Sequence, residues 1–177
     1  KKLNPKIVPK VLPVVEPDNV KAKYHHENLP CVGCGVPGGG ALLLMISPVK
    51  TGKSTIISNL LLNDNFYGQE FFDDVQIISN TIKNDVTSRF LNKAFNVYDY
   101  YSDDIIEGLI NRQKSFEKID QPETALILDD CLGSIKRESK INHICSRYRH
   151  FNIKLLVISS QKFKGSVSPI IRANATD

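Results

Sequence analysis

The sequence predicts an α/β protein whose mostly parallel sheet is covered by helices on both faces, and three observations lead to it. Apolar runs of five to eight residues recur along the chain, segments with helical spacing separate them, and the runs are continuously apolar rather than alternating. A strand without a polar side is buried on both faces, and that requires helices above and below a parallel sheet. The 177 residues, 41% of them apolar, suffice for one sizeable core.

From the amino end, KKLNPKIVPKVLPVVEPDNV places prolines at 5, 9, 13 and 17, a spacing that blocks helix and favours extended chain. With the glycine-rich CVGCGVPGGG at 31 to 40, it predicts an N-terminal arm over residues 1–40, ahead of a core over 41–177. ALLLMI at 41 to 46 reads as a strand buried on both faces. The helix after it carries Ile56, Ile57, Leu60 and Leu61 inward. VQIIS at 75 to 79 is the second strand, Asn84 to Ala94 a helix through Val86, Phe90 and Ala94, and FNVYD at 95 to 99 a short strand. Ser102 caps a helix whose first turn holds Asp103 and Asp104 and whose inner stripe is Ile105, Ile106, Leu109, Ile110 and Phe116. ALILD at 125 to 129 follows, then a helix presenting Ile141, Ile144, Cys145 and Tyr148, then the strand IKLLVISS at 153 to 160.

Composition excludes several classes. No apolar run reaches the roughly 20 residues of a membrane-spanning helix, and the Lys- and Pro-rich start lacks a signal-peptide core, so a non-secreted, soluble protein is expected. Four scattered cysteines, Cys31, Cys34, Cys131 and Cys145, argue against a disulfide framework. His25, His26, Cys31 and Cys34 are zinc-ligand types, but their spacing is not that of a finger and suits a connector equally. The net charge of +4 is unevenly spread: residues 24 to 130 are acidic overall. Residues 131 to 177 hold Lys136, Arg137, Lys140, Arg147, Arg149, Lys154, Lys162, Lys164 and Arg172 against Glu138 and Asp177. A basic end of this kind suits either a polyanion or ordinary solvated surface.

In a parallel sheet ligands sit at the carboxyl ends of the strands, which directs attention to the residues just past 46, 79, 129 and 160. Ser47, Pro48, Val49, Lys50, Thr51, Gly52, Lys53, Ser54 and Thr55 follow the first strand directly. They fit the phosphate-binding pattern G-x-x-x-x-G-K-[ST] except that Ser47 replaces the first glycine. Such a loop surrounds a β-phosphate with backbone N–H groups, with Gly52 allowing close approach. Lys53 would reach the β and γ oxygens of ATP, and the Ser54 hydroxyl would ligate Mg²⁺. Asp129, at the tip of ALILD, is placed to hold Mg²⁺ through its water shell, and Asp130 is the candidate base for the attacking water. Gln161 ends the last apolar strand at the same edge, where an amide can sense the γ-phosphate; alone it is equally a plain loop amide.

Lys53 and Ser54, the ILDD strand, RHFNIKLLVISSQ and SPIIRANATD together resemble the FtsK/HerA superfamily of ring-forming pumping ATPases. The resemblance is to its DNA-packaging branch in nucleocytoplasmic large DNA viruses and virophages. Arg149, His150, Asn152, Ile171, Arg172 and Asn174 carry the branch's later motifs. This resemblance implies a P-loop NTPase fold of the ASCE/RecA-like kind, ATP and Mg²⁺ as cofactors, and double-stranded DNA as the translocated partner. It also implies a homo-oligomeric ring, capsid or portal-vertex proteins as further partners, and residence in the host-cell cytoplasm, in the viral factory, and in the virion. Either Arg149 or Arg172 would act in trans on a neighbour's nucleotide, and the basic 131 to 177 region would help line the DNA path. Two departures stand out. Asp130 replaces the glutamate usual in bacterial and archaeal pumps, and ANATD ends where the family enters a further strand beside the first, so the core is expected to be truncated there. The alternatives are a P-loop kinase of a nucleoside or small molecule, and a nucleotide-binding assembly scaffold that does not hydrolyse.

Overall fold

Fully apolar runs leave a strand no side that tolerates water, and the strands of this chain accordingly lie side by side between two helical layers. A computed structural model describes residues 29, 32, 39–82, 89–136, 138–162 and 167–176. β1 (Ala41–Ile46), β2 (Asp74–Ser79), β3 (Asn96–Tyr98), β4 (Thr124–Asp129) and β5 (Ile153–Ser160) form one sheet in the order β1-β5-β4-β2-β3. Every pairing is parallel. The helices are α1 (Lys53–Leu62), α2 (Arg89–Ala94), α3 (Asp103–Lys114), α4 (Lys140–Arg147) and α5 (Pro169–Asn174).

Side-chain alternation along the strands sorts the core into two halves. Leu43, Val75, Ile77, Ala125, Ile127, Leu155 and Val157 pack with Ile57, Leu60 and Leu61 of α1 and Phe90 and Leu91 of α2. Leu42, Ile78, Leu126, Leu128, Leu156 and Ile158 pack with residues of α3, α4 and α5 on the other face. Each fully buried aliphatic side chain contributes about 1.5–3 kcal/mol, and β2, β4 and β5 are buried along their whole length. Val32, from the glycine-rich connector, is buried in the first of these halves.

The predicted elements appear with informative differences. β1 is buried at Ala41–Leu43 but only half-buried from Leu44 to Ile46, because it stands at the edge of the described sheet rather than inside it. Thr176 begins to cover that edge: its N–H donates to the Leu42 carbonyl at 2.8 Å and its hydroxyl accepts from the Leu42 N–H at 3.0 Å. Ile56 faces outward and is 46% exposed, the apolar face of α1 being narrower than the sequence pattern suggests. The helix expected from residue 84 is described from Arg89; residues 83–88 lie outside the described residues, as do the arm to residue 28 and the candidate zinc ligands His25, His26, Cys31 and Cys34.

Ser102 caps α3 as expected, its hydroxyl accepting from the Asp104 N–H at 3.1 Å. The inner stripe stops earlier than the sequence suggests: α3 ends at Lys114, and Phe116 lies beyond it, 40% exposed. Gln113 takes the inward position instead, donating to Thr124 Oγ1 at 2.6 Å and to the Pro122 carbonyl, and so tying the end of α3 to the start of β4. Asp103 reaches across to α4, accepting from the Lys140 N–H at 2.9 Å and from the Tyr101 hydroxyl at 2.6 Å. Burial and that acidic partner push the Tyr101 phenol well above its ordinary range.

Candidate active site

The turn after β1 begins with one hydrogen bond that fixes its place, from the Ser47 N–H to the Ser160 carbonyl of β5 at 3.1 Å. Thr51 Oγ1 lies 2.6 Å from the Ser47 hydroxyl and 2.7 Å from the Pro48 carbonyl, its one proton shared between them. Ser47 therefore serves the turn with a side chain where the consensus has none. It is not among the positive-φ residues; the left-handed positions are Lys50 at φ 62° and Gly52 at φ 94°. Only Gly52 adopts its value without strain, and the space where a Cβ would lie above it is open, with no atom within 4 Å.

α1 starts at Lys53 with no side-chain cap and no acidic residue in its first turn. Its N–H groups and positive dipole end are thus uncompensated, a ready anion site at the head of a ten-residue helix. Lys53 Nζ folds back onto the loop's own carbonyls, Ser47 at 2.7 Å and Pro48 at 2.9 Å. Open space over Gly52, an uncapped helix end and a lysine whose partners among the described residues are carbonyls are the donor set that a polyphosphate requires, so the residues present fit one. Ser54 and Thr55 are half-buried in the first helical turn.

The acidic tip lies on the same rim. Met45, Ser159, Asp129 and Ser79 are register partners across β1, β5, β4 and β2, and their side chains point to the face that α1 covers. Asp129 is 5% exposed; its Oδ1 accepts from the Ser159 hydroxyl at 2.5 Å and its Oδ2 from the Ser79 hydroxyl at 3.2 Å. Burial pushes its carboxyl above the ordinary range, the hydroxyls of Ser159 and Ser79 oppose that, Asp130 adds to it, and the nearby Lys53 charge opposes it. Asp130 turns out of the strand in a left-handed conformation, φ 55°, with its N–H donating to Ser159 Oγ at 3.1 Å. Its Oδ2 accepts from Gln161 Nε2 at 2.6 Å. Cys131, next in sequence, is fully buried with its thiol pushed up to about 12 and donating to the Ile78 and Asp129 carbonyls; it is a packing residue, not a nucleophile or a ligand.

The structure therefore brings together the loop of residues 47–55, Asp129, Asp130 and Gln161, and adds Ser79, Ser159 and Ser160, which sequence reasoning left as strand ends. Small hydroxyls closing the apolar runs VQIIS and VISS were the available signal. Among the described residues no cluster of three or more His, Cys, Asp or Glu could hold a metal ion alone. A Mg²⁺ would be held by the Ser54 hydroxyl and, through water, by Asp129, with phosphate oxygens completing its shell.

Arg149 is not part of this rim. Arg149 sits in the 3-10 turn Tyr148–Phe151, ahead of the amino end of β5, its guanidinium 5.2 Å from the Tyr148 ring centre. The eight residues of β5 separate it from the carboxyl rim, about 25 Å of extended chain. Arg172 is exposed on α5. Asn152 and Asn174 act locally: Asn152 ends the turn at φ 50°, a value asparagine tolerates better than most, with its amide donating to the Gln121 carbonyl, and Asn174 bonds the Ile170 carbonyl within α5. Lys154, counted above with the basic end, is 1% exposed and 3.7 Å from Glu123, so it adds nothing to a polyanion-facing surface. Lys136, Arg147, Arg149, Lys162 and Arg172 remain exposed, whereas Arg137 and Lys164 lie outside the described residues.

A parallel sheet whose first strand runs through a glycine-lysine turn into a helix, with an acidic strand tip on the same rim, defines the fold of a P-loop ATPase. No protein-family model matches the chain. Two viral relatives do. Uncharacterized protein 075L of Invertebrate iridescent virus 6 is 31% identical over 140 residues, covering 77% of this chain and 52% of that protein. Uncharacterized protein 088R of Invertebrate iridescent virus 3 is 27% identical over 140 residues, covering 77% and 51%. The chain spans about half the length of the curated relatives it matches. Among solved structures it is similar to B204, the DNA-packaging ATPase from Sulfolobus Turreted Icosahedral Virus, with a TM-score of 0.53 and 18% identity over 76% of this chain and 72% of that one, a likeness of fold. Among the described residues no helix is long and apolar enough to cross a membrane.

Proposed function

We propose that the chain is the ATP-hydrolysing core of a viral motor of the FtsK/HerA kind that moves double-stranded DNA into a capsid. The observation that carries the reading is the unbroken row of contacts along one rim, from Ser47 through Ser160 and Ser159 to Asp129 and Ser79, with Lys53 on one side and Asp130 and Gln161 on the other. The packaging-ATPase fold and the viral relatives support it. Bound ATP and Mg²⁺ would supply the electrophilic γ-phosphate and the charge that offsets its oxygens. Toward them Lys53 places a cation, Ser54 a hydroxyl, Asp129 a carboxylate behind the metal's water, Asp130 a carboxylate for the attacking water and Gln161 an amide that registers the phosphate.

Arg149, a strand length from the rim that would hold its own nucleotide, is assigned to a neighbouring subunit's site in this reading; exposed Arg172 is the second candidate. A finger in trans requires an oligomer, for which a closed ring is the expected form. Mixing wild type with Arg149→Ala is expected to lower ATP turnover more steeply than the mutant fraction rises; a linear decline assigns the role to Arg172 or to neither. The basic surface after residue 131 would contact DNA phosphates, capsid or portal-vertex proteins would anchor the motor, and the viral factory in the host cytoplasm and the virion are its expected settings. The edge of β1, clipped at Leu42 by Thr176, is where a further strand of the core would pair.

Double-stranded DNA is expected to raise ATP turnover several-fold irrespective of its sequence, with the stimulation lost as salt rises from about 50 to 200 mM. Turnover indifferent to DNA at every salt concentration argues against a translocase.

A further inference from the structure

We infer that Ser159 is a positioning residue that sets both carboxylates of the acidic tip, an inference that rests on the proposed ATPase function. A serine hydroxyl has one proton to give and lone pairs to accept with. Here the proton goes to Asp129 Oδ1 at 2.5 Å and a lone pair receives the Asp130 N–H at 3.1 Å. The side chain is fully buried on a central strand, where no water competes for either bond. One hydroxyl thus joins two neighbouring residues that must do different things.

The two bonds act on different degrees of freedom. The bond to Oδ1, together with the longer one from Ser79 to Oδ2, fixes the plane of the Asp129 carboxylate and leaves each oxygen one acceptor direction for a water. The bond from the Asp130 N–H holds the backbone in its left-handed turn, φ 55°, a conformation that costs a non-glycine residue about 1 kcal/mol and persists only where its surroundings impose it. That turn aims the Asp130 carboxylate at Gln161, two residues beyond Ser159 and just past the end of β5. β5 therefore holds the buried carboxylate and the half-buried one apart, with Ser159 as the hinge between them. Alanine keeps the packing and removes both bonds, whereas threonine keeps the hydroxyl.

The test uses the full chain, Ser159→Ala, Ser159→Thr and Ser79→Ala, with a fluorescent ATP analogue titrated with and without Mg²⁺ alongside steady-state turnover. Ser159→Ala is expected to bind the metal-free nucleotide within about twofold of wild type. Its Mg²⁺ requirement for tight binding should rise about tenfold, and kcat should fall about 10–100-fold with KM little changed, the range seen when groups behind a metal ligand are removed. Ser159→Thr should recover most of both, and Ser79→Ala should raise the Mg²⁺ requirement while lowering kcat less than Ser159→Ala does, because Asp130 keeps its tether. Wild-type Mg²⁺ dependence and kcat in a cooperatively melting Ser159→Ala overturn the inference, as does an equal loss of kcat in alanine and threonine variants with Mg²⁺ linkage unchanged. Should Ser159→Ala fail to melt cooperatively, Ser159→Thr and Ser79→Ala decide the matter through the same Mg²⁺ titration. A wild-type chain that neither binds Mg²⁺-nucleotide nor turns it over overturns the proposed function itself; one that turns over normally while Ser159→Ala does too overturns the positioning role alone.

Discussion

Lys53→Ala is expected to reduce ATP turnover by about 10²–10³-fold while leaving the fold in place. Both halves follow from the contacts of one ammonium group. Lys53 is half-buried at the head of α1 and among the described residues bonds the Ser47 and Pro48 carbonyls, contacts a partly solvated loop can exchange for water at about 1 kcal/mol or less each. In a protein of this size that is a few degrees of melting temperature. Toward a triphosphate the same ammonium is a preorganised cation aimed where charge develops, and losing one such group costs about 2.7–4 kcal/mol of barrier. Turnover and thermal melting of the purified variant check the two halves separately. Wild-type turnover in Lys53→Ala would remove the loop from the chemistry. A variant that assembles and functions normally without turnover would favour a nucleotide-binding scaffold.

The parts legible in the sequence were those where one residue type has one physical use. Six apolar residues before a glycine-lysine turn can scarcely be anything but a buried strand feeding an anion-binding helix, and β1, α1 and the loop between them stand where the pattern puts them. β5 matches its predicted bounds for the same reason. What the sequence could not disclose depends on which strand lies beside which. Ser159 and Ser79 are unremarkable strand ends until the register sets both against Asp129. Lys154 reads as surface charge until the sheet buries it near Glu123. The edge position of β1, the outward turn of Ile56 and the exit of Phe116 from its helix face are likewise consequences of neighbours, which periodicity along one segment does not encode.

Asp129→Asn is expected to cut turnover by about 10²-fold or more and yet raise the melting temperature at neutral pH. Burial holds the Asp129 carboxyl above its unfolded value despite the Ser159 and Ser79 hydroxyls. A carboxyl whose folded value is raised binds its proton more tightly in the native state, so stability falls as pH rises through the window between the unfolded and folded values. Above that window the whole penalty is present, and the ionised native state carries it at pH 7. Asparagine removes the charge while keeping the volume, a carbonyl oxygen that still accepts from one serine and an amide that the other serine can accept from. The gain over wild type should therefore be largest at neutral pH and shrink on acidification through the window, disappearing below the unfolded value of about 4, where both side chains are neutral. The loss of turnover has the opposite origin, since a neutral amide cannot offset a cation's charge behind its water shell, and about 10²-fold or more is expected. Melting curves from pH 4 to 8 on both proteins test the argument. A variant less stable than wild type at pH 7 would mean that the serine hydrogen bonds outweigh burial, and that the charge at this tip is held for stability rather than for the metal it is suited to bind.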